Sequence, residues 1–464
     1  MNKNLRNTVS LFSMDLTLKF IGFLATAYLA RVLGKSGFGT ISIGVSVMNY
    51  AFVLSDCGMT VLGTRKIAAG LKPEKISGPI IYGKFILSIV IFLLTAFITL
   101  ILTGLSENTY VILAYTLFLF PAAFTVDWFF VGKQKMDTVA YVRITGTAIY
   151  LLLVILFVRN QSGTVFTGVA WTLGSIAIAL LYFYFYKRNN HSVHFSRIKK
   201  SLKIIKESFP LGMASYLSQF IVAFPVIYIA YIAGNSKAGI FSAAFKMIGL
   251  FLIFDRVFAT LFLPKITGVI SNTKSSLEEI FGTVLKIVVT FTLIISMILY
   301  LFSDFIILKV FGSDYSESIL IFKILLVYFS FTIIDSVFAN TLIGMNKEKG
   351  YTLSLLIAVS AVLICTFALT PFWHEYAIII SFILLDIISL FYMIIFIRKD
   401  IKIGVLRSIL FPVVITLLFL LLLIFFPMPI YFQLLIVIIL LIPVLIAVTD
   451  FRKNEIDFIR RIFI

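Results

Sequence analysis

Six positions on one helical face, mostly polar, recur 200 residues further along the chain. The first set is Ser42, Ser46, Asn49, Val53, Asp56 and Thr60. The second is Ser242, Lys246, Gly249, Ile253, Arg256 and Thr260. Steps of four and three hold each set on one side of an α-helix. A further stripe of Asp15, Lys19, Gly22 and Thr26 has the same spacing. In a hydrophobic helix such a face must look into protein or water, because lipid leaves ionised groups unpaired. Arginine offers bidentate, and lysine point-charge, recognition of phosphate. Lys19, Lys246 and Arg256 are therefore candidate contacts for an anionic cargo, and Asn49 and Gln219 candidate hydrogen-bonding partners for sugar hydroxyls. Asp15, Asp56, Asp127, Asp255 and Asp335 are candidates for ion coupling or charge tuning.

Internal pairing is the competing reading. Asp15 and Lys19 stand four apart with the acid first, the better orientation for a helical ion pair. Asp255 adjoins Arg256, and Asp56 occupies its repeat-equivalent position. Asp127 precedes Trp128-Phe-Phe-Val-Gly132, a run that equally suits an interfacial aromatic belt. Lys84, Lys323 and Asp386 are further charges within apolar spans. Lys84 sits a turn from a span boundary and Lys323 is close enough to the outer boundary to snorkel.

The elements that must position these groups are membrane helices. With 61% hydrophobic residues, 13% charged residues and a mean hydropathy of +1.09, the 464-residue chain is excluded from the soluble globular class. Apolar runs of about 20 residues cross a bilayer. About fourteen such spans are expected, near 8–33, 38–62, 79–103, 109–131, 138–158, 163–186, 209–233, 238–263, 283–303, 318–343, 351–371, 376–397, 405–426 and 430–449. The fold class is thus an all-α polytopic membrane protein.

A net charge of +18 invites a nucleic-acid reading, but its distribution argues against one. With the N-terminus inside, 29 of the 39 basic residues fall on the cytoplasmic side, counting Arg143 among them. That asymmetry is the positive-inside pattern and places both termini in the cytoplasm. The first span, interrupted by Asp15 and Lys19, is expected to be a retained helix rather than a cleaved leader.

The hydrophilic stretch 187–208 separates an N-terminal six-helix lobe, 1–186, from a C-terminal six-helix lobe, 209–397, with helices 13–14 and a basic tail at 398–464. At the 200-residue offset, Tyr28-Leu-Ala-Arg-Val-Leu-Gly34-Lys-Ser-Gly-Phe-Gly39 pairs with Tyr228-Ile-Ala-Tyr-Ile-Ala-Gly234-Asn-Ser-Lys-Ala-Gly239. An even number of spans per repeat makes the repeats parallel, a transporter arrangement. Cys57 and Cys365 have no metal-type spacing and read as small packing residues. His191 and His194, in a basic loop, read as solvated rather than metal-binding. No Walker loop, nucleophile elbow or zincin helix is present, which disfavours ATP-driven transport by this chain alone.

Asp56-Cys-Gly-Met-Thr-Val-Leu-Gly-Thr-Arg65, Asp127-Trp-Phe-Phe-Val-Gly-Lys-Gln-Lys-Met136, Gly239-Ile-Phe-Ser-Ala-Ala-Phe-Lys-Met247 and Leu342-Ile-Gly-Met-Asn-Lys-Glu-Lys349, with the Tyr28–Gly39 segment, stand as ordered landmarks. In these the chain resembles the O-antigen and capsule flippases (Wzx type) of the multidrug/oligosaccharidyl-lipid/polysaccharide exporter superfamily. The resemblance implies two lobes around a cavity lined by helices 1, 2, 7 and 8. It implies no enzyme activity and no cofactor, with proton or sodium coupling open. The implied cargo is an undecaprenyl-pyrophosphate-linked oligosaccharide, moved from inner to outer leaflet of the bacterial inner membrane for O-antigen, capsule or exopolysaccharide synthesis. Membrane lipids, a polysaccharide polymerase and a chain-length regulator are the implied partners; nucleic acid is not one. The rivals are a peptidoglycan-precursor flippase, a cation-coupled multidrug exporter, and a membrane-embedded polymerase or ligase. The last normally needs a sizeable outer loop, whereas the longest one expected here runs from Ser303 to Ser318.

Overall fold

A computed structural model of the chain describes residues 3–192, 198–255, 258 and 274–398, which form helices and short turns without a strand. The predicted helices 13–14 and the basic tail lie outside the described residues, as do Arg256, Thr260 and His194. The chain divides into two compact units, residues 1–242 and 243–464.

In the first unit α1 runs Lys3–Asp56, α2 Met59–Ala68, α3 Ser77–Thr103, α4 Glu107–Thr116, α5 Leu119–Ala123, α6 Asp127–Gly132, α7 Met136–Phe157 and α8 Thr164–Arg188. Helix α9, Ile198–Phe251, begins there and ends in the second unit. The second unit continues with α10 (Lys274–Leu301), α11 (Ser303–Phe311), α12 (Glu317–Gly344), α13 (Glu348–Trp373) and α14 (Tyr376–Ile397).

The periodicity predicts separate spans at 8–33 and 38–62, and again at 209–233 and 238–263. Each of α1 and α9 is two helices that meet at a kink between those spans, at one non-helical residue, Gly34 (φ 66°, ψ 178°) and Gly234 (φ 84°, ψ 171°). Those angles belong to a region that essentially only glycine enters. The sequence repeat therefore reappears as the same backbone break at the same 200-residue offset.

The predicted span 109–131 is not one helix but breaks into α4, α5 and α6. Pro121 lacks the N–H that would continue the ladder, and its ring crowds the carbonyl of the preceding turn. Ser88 of α3 donates 3.1 Å to the Leu119 carbonyl near this break. Among the described residues nine helices are long and apolar enough to cross a membrane. Two of them each contain two predicted spans, and spans 13–14 lie outside the described residues, so the count of fourteen is not established.

The core under α2 and α6 is aromatic. Trp128, Phe129 and Phe130 are at most 1% exposed, so this run is interior packing and not an interfacial belt. Phe129 meets Tyr186 edge-on at 5.1 Å and Phe130 stacks on Tyr182 at 5.6 Å. In the second unit α12 carries the most buried face, including Phe322, Phe329 and Phe338, and Ser330 shares a buried 2.9 Å hydrogen bond with Ser296 of α10.

Candidate functional site

The first polar stripe ends in a turn, not in continuous helix. Helix α1 stops at Asp56, Cys57 and Gly58 take left-handed backbone angles, and Thr60 opens the first turn of α2. The turn folds Thr60 back onto Asp56, donating from Oγ1 at 2.6 Å and from its backbone N–H at 3.3 Å. Lys84 of α3 completes the node, 2.7 Å from the Asp56 carboxylate and 2.8 Å from Thr60 Oγ1. The Lys84 and Asp56 side chains are only 4% and 13% exposed, so this is a buried, neutral pair.

Asp127 is likewise matched. The break before α6 aims it at Arg143 of α7, whose Nη2 donates at 2.8 Å. Its other carboxylate oxygen accepts the Trp128 backbone N–H at 2.9 Å. Arg143, counted with the cytoplasmic loop cations, lies two turns inside α7 instead. Lys84 and Arg143 were thus misjudged from sequence. The signal available was charge accounting: a cation inside an apolar span needs a carboxylate.

A cavity of about 440 Å³ opens beside the Asp127–Arg143 pair, walled by α1, α5, α6, α7 and α8 with Phe118 from the turn before α5. Leu18 and Gly22 contribute from the first stripe's helix, Tyr150 from α7, and Trp171, Ser175 and Tyr182 from α8. Asp15 and Lys19 are half-buried on the same arm of α1.

Where the two broken helices meet within the first unit, Gly39 faces the Asn235 carbonyl and Gly239 faces the Lys35 carbonyl. The contact is reciprocal at the 200-residue offset. A methyl group at either glycine would overlap the facing backbone. Asn235 Nδ2 donates 2.8 Å to Thr40 Oγ1 and 2.7 Å to Asn108 Oδ1, and Asn235 Oδ1 accepts from Asn108 Nδ2 at 3.2 Å. Ser42 and Ser242, at matching stripe positions, are both buried, so the upper stripe serves helix packing. Tyr28 donates to the Val158 carbonyl at 2.8 Å, closing the exposed end of α7.

Asn49 and Gln219 are half-buried, on α1 and α9. In the second unit Lys246 is half-buried on α9, and Asp255 follows a turn at Leu252. Asp335 of α12 lies within electrostatic reach of both Asp255 and Asp386, and Thr332 donates 2.6 Å to Asp386. The structure therefore draws Asp255 and Asp335 together, with Asp386 as a neighbour. Asp56 and Asp127 each meet a cation. His191 is not simply solvated: it lies 2.6 Å from Glu74 and packs on Phe129 and Tyr186. Lys323 bonds Asp304 at 3.0 Å and lies over the Tyr300 ring.

Four likenesses to known proteins bear on this geometry. A sequence model of a family described as polysaccharide biosynthesis protein matches residues 4–266. A putative O-antigen transporter of Shigella dysenteriae is 23% identical over 252 residues, which cover 52% of this chain and 62% of that protein. The chain thus spans less than two thirds of that relative's length. In three dimensions it resembles the lipid II flippase MurJ in an inward closed conformation, with a TM-score of 0.71 at 18% identity, covering 96% of this chain and 99% of that one. An inward-facing MATE-family multidrug resistance transporter of the MOP superfamily gives 0.65 at 15% identity, over 84% and 98% of the chains. Identities this low show a shared fold, that of a polytopic helical membrane protein. These relatives are transporters and flippases, not enzymes.

Proposed function

This chain belongs to the polysaccharide biosynthesis protein family, and from that membership we propose that it carries an undecaprenyl-pyrophosphate-linked oligosaccharide from the inner to the outer leaflet of the bacterial inner membrane. The observation that carries the reading is the pair of equivalent broken helices, α1 and α9, in a fold shared with a lipid-linked-precursor flippase. Parallel repeats give a transporter two halves that can rock against each other.

Physically, a pyrophosphate cannot enter hydrocarbon alone, because an isolated buried charge costs many kcal/mol. Lys19, Lys246 and Arg256 are the proposed contacts for its charge, and Asn49 and Gln219 the proposed hydrogen-bonding partners for the glycan. Lys84 and Arg143 are excluded from that role because each already neutralises a carboxylate. The same pairing argues against cation coupling at Asp56 or Asp127. Asp15 remains a proposed coupling acid, with Asp255 and Asp335, gathered near Asp386. Substrate supply falls to glycosyl transfer on the inner leaflet, and a polymerase with its chain-length regulator consumes the product outside.

A charge-assisted hydrogen bond is worth about 1.5–3 kcal/mol, so Lys246→Ala is expected to slow outward exposure of the lipid-linked glycan about tenfold or more. The measurement is the glycan accessible outside intact spheroplasts, compared at matched protein levels in membranes. Unchanged exposure in a Lys246→Ala/Arg256→Ala double variant would remove both residues from the mechanism.

A further inference from the structure

We propose that the cavity between α1, α5, α6, α7 and α8 is a binding site for a neutral sugar ring. Its volume of about 440 Å³ falls within the range of about 300–1,000 Å³ typical of ligand pockets and far exceeds the roughly 30 Å³ share of one water. It lies wholly within the first unit.

Charge decides what it takes. The ionised groups in the lining are Asp127 and Arg143, held 2.8 Å apart, so the wall carries no net charge. A phosphate at Arg143 would sit beside the Asp127 carboxylate, and an organic cation at Asp127 would sit beside the Arg143 guanidinium. Either placement sets like charges close together, which is unfavourable. A neutral polyol requires neither. Arg143 keeps 43% of its side chain exposed and has several N–H donors, only one of them used on Asp127. The Asp127 carboxylate retains lone pairs beyond those accepting Arg143 and the Trp128 N–H. Thr125, Thr147 and Ser175 spend their hydroxyl protons on helix carbonyls and so present oxygens as acceptors. Such a set matches hydroxyls that donate and accept along one ring edge.

The remaining wall suits the other face of a sugar. Tyr150 and Trp171, edge-to-face at 4.9 Å, line the cavity with Phe118 and Phe52 and offer apolar, polarisable surface to ring C–H groups. The Trp171 indole N–H has no hydrogen-bond acceptor among the described residues, an unspent donor in the lining. Gly22 leaves the α1 side open, since a Cβ there would meet nothing within 4 Å. The choice of a glycan rests on the proposed function, but binding here needs no transport.

The test uses the purified full chain in nanodiscs and saturation-transfer NMR with methyl hexopyranosides and methyl N-acetylhexosaminides as probes. Transfer to at least one glycoside is expected, weakened about tenfold by Gly22→Leu, which fills the cavity from a position with room for it. Trp171→Phe, which keeps an aromatic wall and removes the donor, is expected to weaken it several-fold and covers the case in which the leucine variant fails to fold. Inorganic pyrophosphate and tetraphenylphosphonium should not displace the glycoside. Absence of transfer to every glycoside, unchanged transfer in folded variants, or displacement by either ion would overturn the assignment. A chain that binds glycosides here yet moves no lipid-linked glycan would sink the transport reading and leave the cavity assignment standing.

Discussion

Gly239→Ala should lower the folded yield of the protein sharply, although it adds one methyl group. Its Cβ would overlap the Lys35 carbonyl, a backbone atom that cannot step aside by changing rotamer. Helices α1 and α9 would have to separate, and the hydrogen bonds from Asn235 to Thr40 and Asn108 would lengthen with them. Overpacking of this kind costs about 1–3 kcal/mol, and each lost hydrogen bond adds about 1 kcal/mol. Together these give an expected loss of roughly 3 kcal/mol or more. Gly39→Ala, its mate across the repeat, should behave alike, since it meets the Asn235 carbonyl. Gly249→Ala is the control: it lies in helix with nothing within 4 Å of the added atom and should be neutral or stabilising by about 0.5–1 kcal/mol. Thermal unfolding of the three purified variants in detergent makes the comparison. Equal midpoints for Gly239→Ala and Gly249→Ala would mean that the helices do not approach this closely.

Lys84→Met is expected to be at least as damaging, for an electrostatic reason. The lysine neutralises a carboxylate 13% exposed, and Thr60 alone cannot replace its charge. Removing one partner of a buried pair typically costs about 3–5 kcal/mol, because the survivor is left uncompensated. Asp56→Leu combined with Lys84→Met removes both charges and should recover most of the lost stability. The unfolding midpoint of the single variant, set against that of the double, checks this. A double variant no better than the single would show that the pair is not the source of the cost. Activity separates structure from mechanism: a stable double variant that still moves cargo places Asp56 among the structural residues.

Much of the fold was legible because hydropathy reports which segments leave water. The spans at 79–103, 138–158, 163–186 and 318–343 differ from α3, α7, α8 and α12 by at most two residues at each end. The repeat was legible at the one place where chemistry is unforgiving, the glycine-only backbone at Gly34 and Gly234. The separate spans predicted on either side of those glycines are the two helices that meet at each kink, one glycine making the turn between them.

The candidate site was read less completely. Stripe periodicity finds the polar face of a helix but not its partner. Asp56 and Lys84 are brought together by the turn at Cys57–Gly58, and Asp127 and Arg143 by the break after Pro121. Both are local irregularities that apolar content masks. The same blindness made Trp128-Phe-Phe read as well for a belt as for a core, since hydrophobicity alone does not distinguish lipid from protein as the apolar neighbour.

Reconstitution tests the transport claim most directly. The purified chain would be placed in liposomes carrying an undecaprenyl-pyrophosphate-linked oligosaccharide labelled on its glycan with a fluorophore. A membrane-impermeant quencher added outside then reports how much of the label can reach the outer leaflet. Protein is expected to carry the quenched share from that of the outer leaflet alone towards all of the label, with Lys246→Ala lagging. A quenched share that stays at the outer-leaflet level, in vesicles where the same protein moves a peptidoglycan precursor or an organic cation, would contradict the account.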